Sequence, residues 1–146
     1  MKMTNEEYAK LVKQRSKPSP MGKNMVWAFL VGGSICAFGQ FLSTLYQKWG
    51  LDREQAGTAV SVTLIGITAL LTGLGVFDDI AKRAGAGTLV PITGFSNSVV
   101  APALEFKTEG MVLGTAAKMF IISGPVIVFG TAASVVYGVV YWIATL

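Results

Sequence analysis

Charge is missing from this chain over four long stretches. Asn24 to Gln47 is 24 residues without Asp, Glu, Lys or Arg, Gln55 to Phe77 is 23, and Ala84 to Leu104 is 21. Gly110 to Leu146 holds a single charge, Lys118, in 37 residues. A bilayer core asks for about 20 apolar residues of helix, and no soluble fold accounts for four such runs. Glycine is also abundant, 17 of 146 residues, and low charge with many small residues suits packed membrane helices. The expectation is an all-α membrane protein with three to four transmembrane helices. Its single membrane domain covers residues 24–146, behind an arm over 1–23.

The arm carries the whole net charge. Lys2, Lys10, Lys13, Arg15, Lys17 and Lys23 stand against Glu6 and Glu7, giving +4, and the rest of the chain sums to zero. That asymmetry places the arm on the cytoplasmic side. Such charges could meet nucleic acid, but beside a membrane domain they read as a topogenic arm facing lipid, and no nucleic-acid partner is expected. Thr4 to Gln14 reads as a short amphipathic helix, with Thr4 as its cap, Glu7 three residues on, and Tyr8, Leu11 and Val12 on one face. Pro18 and Pro20 predict an extended linker after it. The apolar run from Asn24 is too long for the core of a signal peptide and is read as the first span.

That span, about 24–47, has Trp27 near one end and Tyr46 and Trp49 near the other, as interfacial aromatics do. Ala28, Gly32 and Cys36 repeat at i+4, a small-residue stripe for helix packing. Gln40, polar within the span, is either interhelical glue or part of a solute path. The second span, about 55–77, follows a tight turn with Asp52 as cap, and pairs Gly57 with Ser61 and Ala69 with Gly73 at i+4. It ends in a charged interfacial turn. There Asp78 and Asp79 are a paired-carboxylate site or, more simply, solvated neighbours of Lys82 and Arg83. The last region, 110–146, would be about 55 Å long as one helix, against a core of about 30 Å. A break near 124–125, at Gly124-Pro125, would resolve the excess: a shorter amphipathic helix to about Ile122, then a span from Pro125. Gly130, Ser134 and Gly138 give that span its own packing stripe.

The third run fits neither a span nor a loop. Gly85, Gly87, Pro91, Gly94, Asn97 and Pro102 interrupt residues as apolar as a membrane helix. Non-helical backbone at membrane depth persists only where protein or a water-filled cavity satisfies its polar groups. Residues 86–104 are therefore read as a broken or re-entrant segment lining a path, with a kinked full span as the alternative. Re-entry leaves nine Lys and Arg on the arm's side and two, Lys48 and Arg53, on the other, whereas a full span gives eight and three. The charge rule barely separates the two. Thr93, Ser96, Asn97 and Ser98 supply uncharged hydrogen-bonding groups, and helix N-termini in such a segment favour anions. Lys118 either snorkels to the interface or acts as a cation in the path, paired with Glu105 or Glu109.

The chain has no histidine and one cysteine. No catalytic constellation, metal-ligand pair or disulfide framework can be named, so neither enzymatic activity nor a cofactor is expected.

Three stretches, "AFLVGGSICAFGQ", "GAGTLVPITGFSNSVVAPALEFKTEG" and "KMFIISGPVIVFG", resemble those of the SpoVAC/SpoVAEb membrane family of spore-forming bacteria. The basic arm, "EEYAKLVKQRSKPSPMGKN", is similar to that of the longer branch of the family. The resemblance covers nearly the whole chain. It implies a component of the spore inner-membrane channel that moves dipicolinic acid, as its calcium chelate, into the developing forespore and out during germination. Relatives are described as mechanosensitive-channel-like. The implied partners are the other subunits of the same sporulation complex, including a paralogue and a soluble dipicolinate-binding protein. One chain of three or four helices makes a poor pore, so an oligomer or further subunits are expected. A non-conducting scaffold that assembles those subunits is the alternative. Dipicolinate is a flat aromatic dianion, for which helix N-termini, hydroxyls, Asn97 and Lys118 are apt. Its calcium chelate is nearly neutral and suits an uncharged polar lining, and both forms fit this sequence.

Overall fold

Two antiparallel spans form the hairpin on which the other elements pack. The computed structural model describes residues 4–16 and 19–146, and within them every regular element is a helix. Helix α1 (Asn5–Arg15) lies in the arm. The Thr4 N–H donates to the Glu7 carboxylate at 2.9 Å, and the Glu7 N–H donates to the Thr4 hydroxyl at 3.4 Å. This is the reciprocal cap that the sequence predicts. The backbone hydrogen bond first, and the hydroxyl second, hold the Glu7 carboxyl below its ordinary range. Tyr8, Leu11 and Val12 are exposed, leaving the apolar face of α1 open. The linker read around Pro18 falls partly outside the described residues, and α2 begins directly after Pro20.

Helices α2 (Met21–Lys48) and α3 (Arg53–Gly73) are joined by a short turn. The Asp52 carboxylate ends that turn by accepting the N–H groups of Glu54 and Gln55 at 2.9 and 2.8 Å. Leu42 and Leu64 are buried, and the hydroxyls of Tyr46 and Thr63 share a 2.7 Å hydrogen bond across the pair.

The second span stops earlier than expected. α3 ends at Gly73, and Gly75, at φ +73°, lets the chain turn into a separate helix α4 (Val76–Ala84). The expected charged turn is thus a nine-residue amphipathic helix. Phe77 and Ala84 are buried beneath it, while Asp78, Asp79, Lys82 and Arg83 remain exposed.

The third run is re-entrant. α5 (Ala86–Leu89) starts beside α4 and packs against α2, and α6 (Ile92–Glu105) packs against α3. The start of α6 lies at the middle of α3: Thr93 shares a groove with Leu64 and Thr68, and the Ser96 hydroxyl donates to the Ile65 carbonyl at 3.0 Å. Its end returns to α4, where Pro102 and Glu105 share a cleft with Phe77, Ala81 and Gly85. Both ends of the segment therefore lie at one side of the hairpin.

Two glycines close this turn. A side chain at Gly87 would run into the Ala28 backbone of α2, and one at Gly94 into the Leu89 carbonyl. Little backbone is left bare at the tip. The Leu89 and Val90 N–H groups donate to Gly85 and Ala86, the Gly94 N–H donates to Pro91 at 2.9 Å, and Pro91 has no N–H to satisfy.

After a tight turn at Lys107–Glu109 the chain widens into a π-turn, Met111–Ala116, and enters α7 (Ala117–Ala144). The expected break at Gly124-Pro125 is absent, because α7 continues through Pro125. Pro125 frees a single carbonyl, whereas halting the helix there would strip several backbone groups of partners in an apolar setting. The irregularity sits instead at the π-turn, Met111–Ala116. Among the described residues, three helices are long and apolar enough to cross a membrane: Met21–Lys48, Arg53–Gly73 and Met111–Ala144.

Gly87→Ala should lower stability by about 1–3 kcal/mol, since the added methyl meets backbone that cannot move aside. Gly57→Ala, which meets nothing within 4 Å, should be neutral or stabilising by up to about 1 kcal/mol. Thermal unfolding of the two variants in detergent compares them directly.

Candidate functional site

The re-entrant pair, α4 and the first turns of α7 enclose a cleft of about 430 Å³. Thr88, Asn97, Ser98 and Glu105 supply its polar groups, among apolar walls that include Leu89 and Ile122. α6 sets this arrangement. Asn97, Ser98, Ala101 and Glu105 recur at helical spacing and line the cleft, with Asn97 at the edge of the face that meets α3. Thr93 and Ser96 are buried on the side of α6 that meets α3.

Most of the hydroxyls are occupied. Thr93 donates to the Thr88 carbonyl at 3.4 Å, Ser96 to Ile65, and Ser98 to the Phe95 carbonyl at 2.7 Å. Asn97 differs. Its carbonyl oxygen accepts from the Thr72 hydroxyl at 2.9 Å, which leaves its amide donors for the cleft. Glu105 is exposed at the end nearest α4, and no lysine or arginine lines the cavity. The cleft can therefore bind a polar solute of low net charge through amide and hydroxyl groups, with one carboxylate available to a cation.

The other candidates lie elsewhere. Lys118, half-buried in the first turn of α7, places its ammonium 4.3 Å from the centre of the Phe106 ring. Among the described residues it has no carboxylate within 4.0 Å, so pairing with Glu105 or Glu109 is replaced by a cation–π contact. A helical side chain leans towards the N-terminus of its helix, which brings this ammonium back to the charged end of α6. Gln40 is exposed on α2, away from the cleft. Of the packing residues, Gly32 faces Gly87, where a β-carbon would come within 3.2 Å of its backbone. Cys36, Gly73, Gly130, Ser134 and Gly138 are exposed, and the three glycines among the exposed or open positions, Gly73, Gly130 and Gly138, have open space around them within the chain. Asp79 forms a 3.0 Å ion pair with Lys82, both largely exposed, and the described residues hold no cluster able to bind a metal ion. The hydrogen bond to Asp79 and, after it, the charge of that carboxylate raise the Lys82 pKa.

Residues 24–140 match the family described as SpoVAC/SpoVAEB sporulation membrane protein. The chain belongs to this family. The family match takes in the three spans up to residue 140 and the whole re-entrant pair, and it leaves out the arm before Asn24. The chain is also 48% identical over 141 residues to stage V sporulation protein AC of Bacillus subtilis (strain 168), with 94% of each chain covered. No solved structure matches. In this SpoVAC/SpoVAEB protein the residues missed by sequence reasoning are Thr72 and Thr88, which hold Asn97 and the tip in place, and Phe106 beneath Lys118. Thr68 and Thr72, four residues apart in an apolar span, were a readable sign of a buried polar face.

The Thr72–Asn97 bond should appear as coupling. In a double-mutant cycle of Thr72→Val and Asn97→Leu, unfolding in detergent should give a coupling energy of about 0.6 kcal/mol, typical of interhelical hydrogen bonds in membranes. Strict additivity would mean that the two side chains do not meet.

Proposed function

We propose that this chain is a membrane subunit of the apparatus that passes dipicolinic acid, as its calcium chelate, across the spore inner membrane during sporulation and germination. The observation that carries the reading is the cleft of the re-entrant pair in a protein of a sporulation membrane family. Its lining is uncharged except for Glu105. A free dianion would meet that carboxylate as a like charge, whereas the chelate brings a calcium ion that the carboxylate attracts and carboxylate oxygens to which the Asn97 amide can donate.

One chain does not close a pore, so further copies, its paralogue and other subunits of the complex complete the path, with a soluble dipicolinate-binding protein delivering the solute. The basic arm faces the cytoplasm in this arrangement. Membrane tension is the proposed gating stimulus, acting on a segment that enters the membrane part-way.

A second reading is a non-conducting scaffold. It is favoured by α7, where every residue from Pro125 to Leu146 is exposed and apolar side chains dominate. Flux of the calcium chelate through proteoliposomes, with and without the partner subunits, separates the two readings. Absence of flux in every combination containing this chain favours the scaffold.

Asn97→Leu should reduce spore dipicolinate content severalfold with normal membrane abundance. Thr72→Val, which breaks the same hydrogen bond but leaves Asn97 in the cleft, should retain most of it. Lys118→Met should be nearly silent, because the ammonium sits over Phe106 outside the cleft. Wild-type content in Asn97→Leu spores would remove the cleft from the mechanism.

A further inference from the structure

Trp27 stands where three cavities meet. Towards the membrane interior an apolar groove of about 450 Å³ runs between α2, α3 and α4, walled by Leu30, Val31, Ile67, Leu71 and Ile80. Behind Trp27, Lys23, Asn24, Lys82 and Arg83 enclose a cleft of about 440 Å³. A third cavity, about 560 Å³, joins them, because Trp27, Val31 and Ile80 line it together with Lys82 and Arg83. Side by side, these cavities form a trough with a basic mouth, an indole at its neck and an apolar floor. Its charge is unbalanced. Asp79, the one carboxylate along the trough, is paired with Lys82 at 3.0 Å, and among the described residues neither Lys23 nor Arg83 has a carboxylate within 4.0 Å.

We propose that this trough binds an anionic phospholipid in the leaflet on the side of the arm. The phosphate lies between Lys23 and Arg83, the Trp27 ring packs at the glycerol level, and one acyl chain fills the groove. Three features specify this occupant. The order of the walls, cationic then indole then aliphatic, is the order of the lipid itself. The two unpaired cations complement a phosphate and sit where basic residues at a helix end meet headgroups. An apolar groove open sideways within a bilayer is filled by hydrocarbon, since nothing there hydrates it. A soluble anion would satisfy the mouth alone and leave the groove unexplained.

Native mass spectrometry of the full chain in detergent, with equimolar phosphatidylglycerol and phosphatidylcholine of identical acyl chains, tests the proposal. Wild-type protein should retain phosphatidylglycerol preferentially. Lys23→Gln with Arg83→Gln should weaken the preference by about fivefold for each charge removed. Lys23→Arg with Arg83→Lys should preserve it, and Val31→Trp, which fills the groove, should reduce retention of both lipids. Helicity and micelle-complex size check folding, and the single Gln variants at these two exposed residues replace the double variant if it does not fold. Equal retention of the two lipids by wild type overturns the proposal, as does a preference that survives loss of both charges. Displacement of phosphatidylglycerol by inorganic phosphate or dipicolinate would make the mouth a free-anion site and overturn it equally.

Discussion

The structure depends on a contact between two backbones. Gly87 in α5 lies directly against Ala28 of α2, with Gly32 one helical turn further along, and no side chain separates the two helices. In a bilayer apolar surface gains little by leaving lipid, so close packing and internal hydrogen bonds must hold a short segment at depth. α5 has four residues and could not persist alone. Held against α2, it directs the chain into the membrane. Gly94 then permits the reversal into α6, whose Ser96 and Asn97 bond to α3. The cleft exists because this turn closes.

The depth of the turn also accounts for the exposed part of α7. α6 is 14 residues, about 21 Å, shorter than a bilayer core of about 30 Å. α7 packs against α6 while both are present, with Ser123 buried and Ile122 at the cleft. Beyond Gly124 it passes the tip of the re-entrant pair and has no partner among the described residues, so Pro125 to Leu146 is exposed throughout. Gly130, Ser134 and Gly138 recur at i+4 on this exposed stretch, and under the proposed function a neighbouring subunit would pack there. The feature that creates a candidate path thus also leaves an unfilled surface for assembly, and the channel and scaffold readings share this geometry.

Much of this fold was legible because bilayer physics acts on sequence directly. Uncharged runs gave the first span, the start of the second, and the re-entrant segment, and Thr4 and Asp52 marked helix starts through local capping. Two boundaries were misread. The uncharged run extends the second span to Phe77, whereas Gly75 ends α3 earlier and turns the following residues into α4. Pro125 predicts a break by its effect in water, where the freed backbone groups can be hydrated. In an apolar setting the helix continues. The candidate path was legible only in part. Sequence placed polar groups at Thr93 to Ser98, but which of them face the cleft depends on the rotation of α6 about its axis. That rotation is fixed by the partners Ile65 and Thr72, which lie more than 20 residues away. Lys118 was recognised as costly, while its partner, the ring of Phe106, carries no charge to reveal it.

The central claim is that both ends of the uncharged segment between Arg83 and Glu105 open on one side of the membrane. Single cysteines placed at Lys82, Lys107 and Lys48 in a Cys36→Ala background, labelled in sealed vesicles with a membrane-impermeant maleimide, test it directly. The account predicts that positions 82 and 107 react from the same side and position 48 from the other. Reaction of 82 and 107 from opposite sides would show that the segment spans the membrane, and the re-entrant cleft would have to be abandoned.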